Sequence, residues 1–196
     1  MAQGKQAKLL TDAQVRAVLA HVDRKSRNPE RDRLIVLLSV KAGMRAKEIS
    51  CLTWPMVTAS DGQLADVISL EDRASKGRNG GRVIPLHRDL KTALVTYKSM
   101  SRSRYGAYVL KSERGSRLTA ASLANWFHRL YCELGYEGCS SHSGRRTFIT
   151  KTARKIVEAG GSLRDVQELA GHQSLQTTQR YIAGDSLAKR KVVDLI

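Results

Sequence analysis

Ser140-Ser141-His142-Ser143-Gly144-Arg145-Arg146, then Leu169-Ala170-Gly171-His172-Gln173-Ser174, then Thr177-Thr178-Gln179-Arg180-Tyr181, form the stretch on which the reading of this 196-residue sequence turns. A helix beginning near Ser141 carries His142 and Arg145 on one face, because residues three apart are neighbours on a helix surface. His172 and Tyr181 are nine residues apart. At about 100° per residue, one continuous helix would set them on opposite sides. Ser174 is a good N-cap, so the chain is expected to break at His172-Gln173-Ser174 and begin a new helix. With that break, His142, Arg145, His172 and Tyr181 can converge, joined by an outlying arginine, Arg45. Two cationic forks, two proton-shuttling rings and one phenol suit attack on a phosphodiester.

Composition points the same way. Lys and Arg number 34 against 18 Asp and Glu, a net charge of +16. That is the electrostatic footprint of a phosphate-backbone binder. The longest apolar run, Leu34 to Val40, is broken by Ser39 and falls far short of the ~20 residues that span a bilayer. No signal-peptide core opens the chain, so a cytoplasmic location is expected and no membrane partner. Three scattered cysteines, Cys51, Cys132 and Cys139, read as reduced thiols. Cys132 and Cys139 near His142 lack a CxxC pair, and neither a metal nor a cofactor is expected.

Outward from that stretch, Thr11 or Asp12 caps a helix to about Arg24, and Asn28-Pro29-Glu30 starts a second. The second is apolar on most sides, which predicts a central buried helix ended by Gly43. Arg45 and Glu48 follow on a short helix. Alone they read as a surface ion pair, but the buried helix beside them and the sharp turn at Gly43 can aim Arg45 inward. Met56-Val57-Thr58, Asp66 to Leu70 and Arg82 to Leu86 predict three strands, the first two joined at Asp61-Gly62. Helices are expected over Asp89–Met100, Thr119–Tyr131 and Ser141–Glu158, and from Ser162 to the Gly171-His172 break. Leu175 and Ile182 are expected to bury the tyrosine helix.

Gly43-Met44-Arg45-Ala46-Lys47-Glu48-Ile49, His142-Ser143-Gly144-Arg145, Leu169-Ala170-Gly171-His172 and Thr177-Thr178-Gln179-Arg180-Tyr181, in this order and with these gaps, resemble the signature of the tyrosine recombinase (phage-type integrase) family. The resemblance runs from about Leu10 to the C-terminus and covers that family's catalytic domain. It implies an α+β fold, mainly helical, with a small three-stranded antiparallel sheet on one edge. The expected organisation is a flexible basic arm over 1–8, a catalytic domain over 9–184 and a C-terminal tail over 185–196. That tail is either a docked helix or, as in such recombinases, a segment exchanged with a neighbouring protomer.

The resemblance also implies roles. Tyr181 is the nucleophile that forms a 3′-phosphotyrosyl bond. Arg45 and Arg145 clamp the phosphoryl oxygens, His172 adds a hydrogen bond, and His142 handles the tyrosine proton. Glu48 orients Arg45. Lys76, in the glycine-rich turn Ser75 to Gly81, protonates the departing 5′ oxygen; a solvated basic turn is the competing reading. Arg73, Arg78, Arg82 and Arg146 are candidate DNA contacts. Implied partners are duplex DNA, further copies of the chain as dimer or tetramer, and an accessory DNA-bending protein, for a nucleoid-associated cytoplasmic protein that is bacterial, archaeal or phage-encoded.

The sequence departs from the family pattern at Ser143-Gly144, where an acidic residue and leucine are usual. Glycine in a helix costs about 1 kcal/mol against alanine. Only a dozen or so residues precede the first helix, so the chain is similar to short, single-domain members such as the fimbrial switch invertases, or to a catalytic domain cut from a longer protein. A type IB topoisomerase-like enzyme is a rival outcome of the same chemistry, but that family tends to carry lysine where His142 stands. A non-catalytic DNA-binding regulator is the second rival. Tyr105, Tyr131 and Tyr136 are fallback nucleophiles without the Thr-Thr-x-x-Tyr context.

Overall fold

The computed structural model describes residues 6–71, 81–100, 107–113, 117–182 and 193–194. It divides into two compact units, Met1–Phe148 and Ile149–Ile196, and the division falls inside one helix, Ser143–Lys155. No helix among the described residues is long and apolar enough to cross a membrane. Lys76, Arg73 and Arg78, Tyr105, and all of the 185–196 tail except 193–194 lie outside the described residues.

In the first unit, α1 (Asp12–Lys25) opens on a capping box. Thr11 Oγ1 accepts from the Gln14 N–H at 3.1 Å, and Gln14 Oε1 accepts from the Thr11 N–H at 2.9 Å. Two orphan donors of the first turn are thereby satisfied. α2 (Pro29–Lys41) begins at Pro29, whose fixed φ suits a first helical position. Every residue from Leu34 to Val40 is buried, so α2 is wrapped on all sides, with α1 and α4 (Arg88–Met100) packed against it. α3 (Ala46–Cys51) packs on α5 (Ala120–Glu133), which turns Leu123, Phe127, Leu130 and Tyr131 into the core.

The expected antiparallel sheet is present with two strands, β1 (Val67–Leu70) and β2 (Arg82–Pro85), paired from Val67↔Pro85 to Leu70↔Arg82. Ile68, Leu70 and Ile84 face the core, and Val83 faces out. The third strand expected over Met56–Thr58 does not form. Trp54–Met56 is a 3-10 turn with Pro55 in its first turn, and Thr58 Oγ1 bonds back to the Trp54 carbonyl at 2.9 Å. Proline has no N–H to give a ladder and its φ suits a helical turn. The Asp61-Gly62 reversal remains, with Gly62 at φ +79°, but it joins only the single bridge Thr58↔Leu64.

In the second unit, α6 (Ser143–Lys155) ends and α7 (Leu163–Ala170) and α8 (Leu175–Ile182) pack against each other. Asp165 Oδ2 accepts from the Ser162 N–H at 2.7 Å, closing the capping box that starts α7. Gly171, at φ +60°, ends α7 in the left-handed conformation. Ser174 Oγ then accepts from the Thr177 N–H at 3.3 Å, which starts α8 after the expected break. Leu175 is 40% exposed rather than buried, Thr178 is fully buried, and the side chain of Ile182, also expected to be buried, lies outside what the structure describes.

Candidate active site

The first unit holds Arg45, Glu48, Arg82, His142, Arg145 and Arg146. Gly43 follows α2 at φ +60°, a conformation glycine adopts without steric cost. A Cβ there would also lie 2.3 Å from the Phe148 ring. This turn sends the chain directly into Arg45, the N-cap residue of α3. Glu48, one turn on, reaches back: its Oε2 accepts from the Arg45 main-chain N–H at 2.7 Å, and its Oε1 accepts from Arg45 Nη1 at 2.7 Å. The Glu48 side chain is 1% exposed and that of Arg45 29%, so the pair faces solvent only through the arginine. Arg82 Nη2 donates to the same carboxylate at 2.8 Å. Burial, the largest influence, with the neighbouring Arg45 charge pushes the Arg82 pKa down to about 10, and Glu48 opposes that shift.

Arg145 lies in the first turn of α6 and is 3% exposed. Its Nη1 donates to the Gly43 carbonyl at 2.7 Å, so the second arginine is tied to the turn that delivers the first. Gly144 makes this placement sterically possible. A Cβ on it would lie 2.2 Å from Ser39 Oγ and 2.9 Å from Ser39 Cβ. α6 therefore crosses α2 at glycine against serine, closer than a leucine in that position would permit. His142 precedes α6 in a turn, is exposed, and donates its main-chain N–H to Ser140 Oγ at 3.3 Å. Arg146, a candidate DNA contact, donates Nη1 to the Ala7 carbonyl, while Thr147 Oγ1 accepts from the Leu10 N–H at 2.8 Å. Residues 7–10 are thus fastened along the start of α6.

The second unit holds His172 and Tyr181. Thr178 and Tyr181 are three apart on α8 and share a face. The His172 ring meets both: Nδ1 lies 2.9 Å from Thr178 Oγ1, and the ring stacks on Tyr181 with centroids 5.3 Å apart and planes at 21°. Gln167 fixes the main chain of His172 from the other side, donating Nε2 to its carbonyl at 2.9 Å. Tyr181 is half-buried and its carbonyl accepts from Thr150 Oγ1 at 3.4 Å. By contrast Tyr131 is 1% exposed, and burial, reinforced by Cys139, pushes its phenol pKa well up. Tyr131 is therefore unsuited to be a nucleophile.

Two of these positions, Thr178 and Ser39, have no role assigned from the sequence, and a third, Arg82, has a different one. Thr178 stood within a motif but is, alone, an ordinary helical threonine. Arg82 reads from the sequence as a candidate DNA contact, and its strand register and its bond to Glu48 show that it also faces the core side. Ser39 carried no signal at all, because its partner Gly144 is 105 residues away.

The Phage integrase family model matches residues 8–187. Tyrosine recombinase XerA of Thermococcus kodakarensis is 33% identical over 154 residues, which cover 78% of this chain and 50% of that protein. Tyrosine recombinase XerC of a Roseiflexus species is 31% identical over 167 residues, 80% of this chain and 49% of that protein. The chain thus spans about half the length of the curated relatives it matches. Among solved structures, XerA recombinase aligns with a TM-score of 0.75 at 21% identity, over 97% of this chain and 65% of that one. XerH site-specific recombinase bound to a palindromic difH substrate aligns with a TM-score of 0.74 at 22% identity, over 98% of this chain and 53% of that one. These two likenesses establish the fold.

Proposed function

The chain belongs to the phage integrase family, and on that footing we propose that it carries out the strand cleavage and rejoining of a site-specific DNA recombinase through a 3′-phosphotyrosyl intermediate on Tyr181. The observation that carries this reading is the pairing of Tyr181 with His172, a phenol stacked on an imidazole whose Nδ1 is already engaged by Thr178.

The chemistry needs no cofactor. The phenol must lose its proton to attack phosphorus. His142, exposed in the turn before α6, accepts it. The Tyr181 oxygen forms a bond to phosphorus, and the bond from phosphorus to the 5′ oxygen breaks. Lys76 protonates that departing oxygen. Arg45 and Arg145 neutralise the non-bridging oxygens as charge builds, and His172 donates to them through Nε2. In rejoining, a 5′-hydroxyl from another strand attacks the phosphotyrosyl bond and releases the phenol. Bond energy is conserved in the covalent intermediate, so rejoining requires no nucleotide hydrolysis.

The partner is duplex DNA, which a chain of net charge +16 suits. Exchange of strands between two sites calls for a dimer or tetramer on DNA, with a DNA-bending protein as accessory, in the cytoplasm. The test is a nicked suicide duplex drawn from the DNA flanking the gene. A protein–DNA adduct that survives denaturation, and disappears in Tyr181→Phe, is the expected result. Binding without any adduct would mean a regulator, and supercoil relaxation without strand exchange a topoisomerase-like enzyme.

A further inference from the structure

We propose that Arg82 is a positioning residue for Arg45, acting through the Glu48 carboxylate that the two guanidiniums share. The inference deepens the recombinase reading and rests on it. Arg82 sits opposite Leu70 in the sheet and two residues before Ile84. Side chains alternate along a strand and opposed residues share a face. The pleat therefore turns Arg82 to the core side, with Ile68, Leu70 and Ile84, while Val83 points out at 58% exposure. A guanidinium is disfavoured there unless it is paired. Its side chain is 8% exposed, and its Nη2 meets Glu48 Oε2 at 2.8 Å.

Two things follow at Arg45. Glu48 is held from three directions: by Arg82, by Arg45 Nη1, and by the Arg45 main-chain N–H. A carboxylate so held does not rotate, and the arginine fork it grips keeps one orientation before substrate arrives. That is the preorganisation on which charge stabilisation depends. The second consequence is electrostatic. Arg45 with Glu48 alone is a neutral pair with little pull on an anion. Arg82 returns the cluster to a net +1, so Glu48 orients Arg45 without cancelling it.

The test uses Arg82→Met, Arg82→Lys, Glu48→Gln and the Glu48→Gln/Arg82→Met double variant of the full chain. The probe is the nicked suicide duplex, with affinity and the first-order rate of adduct formation measured separately. Arg82→Met is expected to bind DNA as the wild type does and to form adduct about 10²-fold more slowly, the penalty of a misplaced catalytic group. Arg82→Lys, which restores the charge and one donor, recovers part of the rate. In the double variant the losses do not multiply, because the route through Glu48 is already cut. Equal loss of affinity and rate in Arg82→Met, multiplying losses, or a wild-type rate would each overturn the proposal. Should Arg82→Met fail to fold, Arg82→Lys decides: an unchanged melting temperature and affinity with a slowed rate supports it, and a wild-type rate overturns it. If the wild-type chain forms no adduct at Tyr181, the recombinase reading falls and this one with it. If the wild type does and Arg82→Met matches it, only the positioning role falls.

Discussion

The imidazole of His172 lies nearly parallel to the phenol ring of Tyr181, centroids 5.3 Å apart and planes at 21°. The stack forms because Gly171 ends α7 in a left-handed turn and Ser174 starts α8 within three residues, so His172 falls in the corner between the helices. Thr178, one turn before Tyr181, closes the corner with its hydroxyl 2.9 Å from Nδ1. A hydroxyl that donates to Nδ1 leaves the ring proton on Nε2, the nitrogen that can serve a phosphate oxygen.

Thr178→Val keeps the shape of the side chain and removes the hydroxyl. Thr178 is fully buried, so the loss falls in a dry setting. A buried polar group deprived of its hydrogen bond typically costs about 1–3 kcal/mol. Urea unfolding should show a drop of that size, and adduct formation should slow as well. Thr178→Ser, which retains the hydroxyl, should recover most of the rate. A Thr178→Val chain as fast as the wild type would show that the hydroxyl does not set the histidine.

What was legible in the sequence was mostly what is settled within four residues along the chain. Thr11 with Gln14, Pro29 after Asn28, and Ser162 with Asp165 are caps whose partners are local, and each helix starts where those residues stand. The break between His172 and Tyr181 was legible for the same reason. The mainly helical α+β class was implied by the family resemblance that the motifs carry. What was not legible depends on packing between distant segments. Met56–Thr58 has strand-like composition, yet Pro55 and the back-bond from Thr58 to Trp54 commit it to a 3-10 turn. Arg82 is a cation by composition and a core residue by register, and only the pairing with β1 reveals the second fact. Around the site, the turn at Gly43 that leads into Arg45 was legible; the contacts of Thr178 with His172 and of Ser39 with Gly144 were not.

Gly144→Ala separates helix propensity from packing, because the two predict opposite signs. Propensity alone makes alanine about 1 kcal/mol the better residue. The new Cβ would meet Ser39 Oγ at 2.2 Å and Val40 Cγ1 at 3.0 Å, in the middle of a buried helix that cannot yield freely. Overpacking of this kind costs about 1–3 kcal/mol. The denaturant midpoint should therefore fall with an unchanged slope, and Ser39→Gly should restore part of the loss in the double variant. A stabilised Gly144→Ala chain would mean that α6 and α2 can part without harm.

Arg45→Ala and Arg145→Ala should both abolish most cleavage but differ in stability. Removing one charge-stabilising donor typically costs about 10²–10³ in rate. Arg45 is 29% exposed, and Glu48 keeps Arg82 when it is gone, so the fold should tolerate the change. Arg145 is 3% exposed and ties α6 to the Gly43 carbonyl. Its loss leaves a buried acceptor without that donor, at about 1–3 kcal/mol. Melting temperatures should thus fall clearly only for Arg145→Ala. Equal melting of the two variants would show that the bond to Gly43 contributes nothing to holding α6.

The cap that starts α7 gives a pH dependence with a definite sign. Hydrogen bonds from the Ser162 main chain, then from its hydroxyl, hold the Asp165 carboxyl below its ordinary pKa in the folded chain. A group whose folded pKa is depressed contributes stability above its unfolded pKa, about 3.9 for aspartate, and loses it as pH falls through the lower folded value. Asp165→Asn carries an amide that does not titrate. The gap in melting temperature between wild type and Asp165→Asn should therefore be open at neutral pH, hold down to about pH 4, and close below it. A gap that stayed constant through that range would place the acid sensitivity elsewhere. Closure would tie it to the helix whose far end delivers His172.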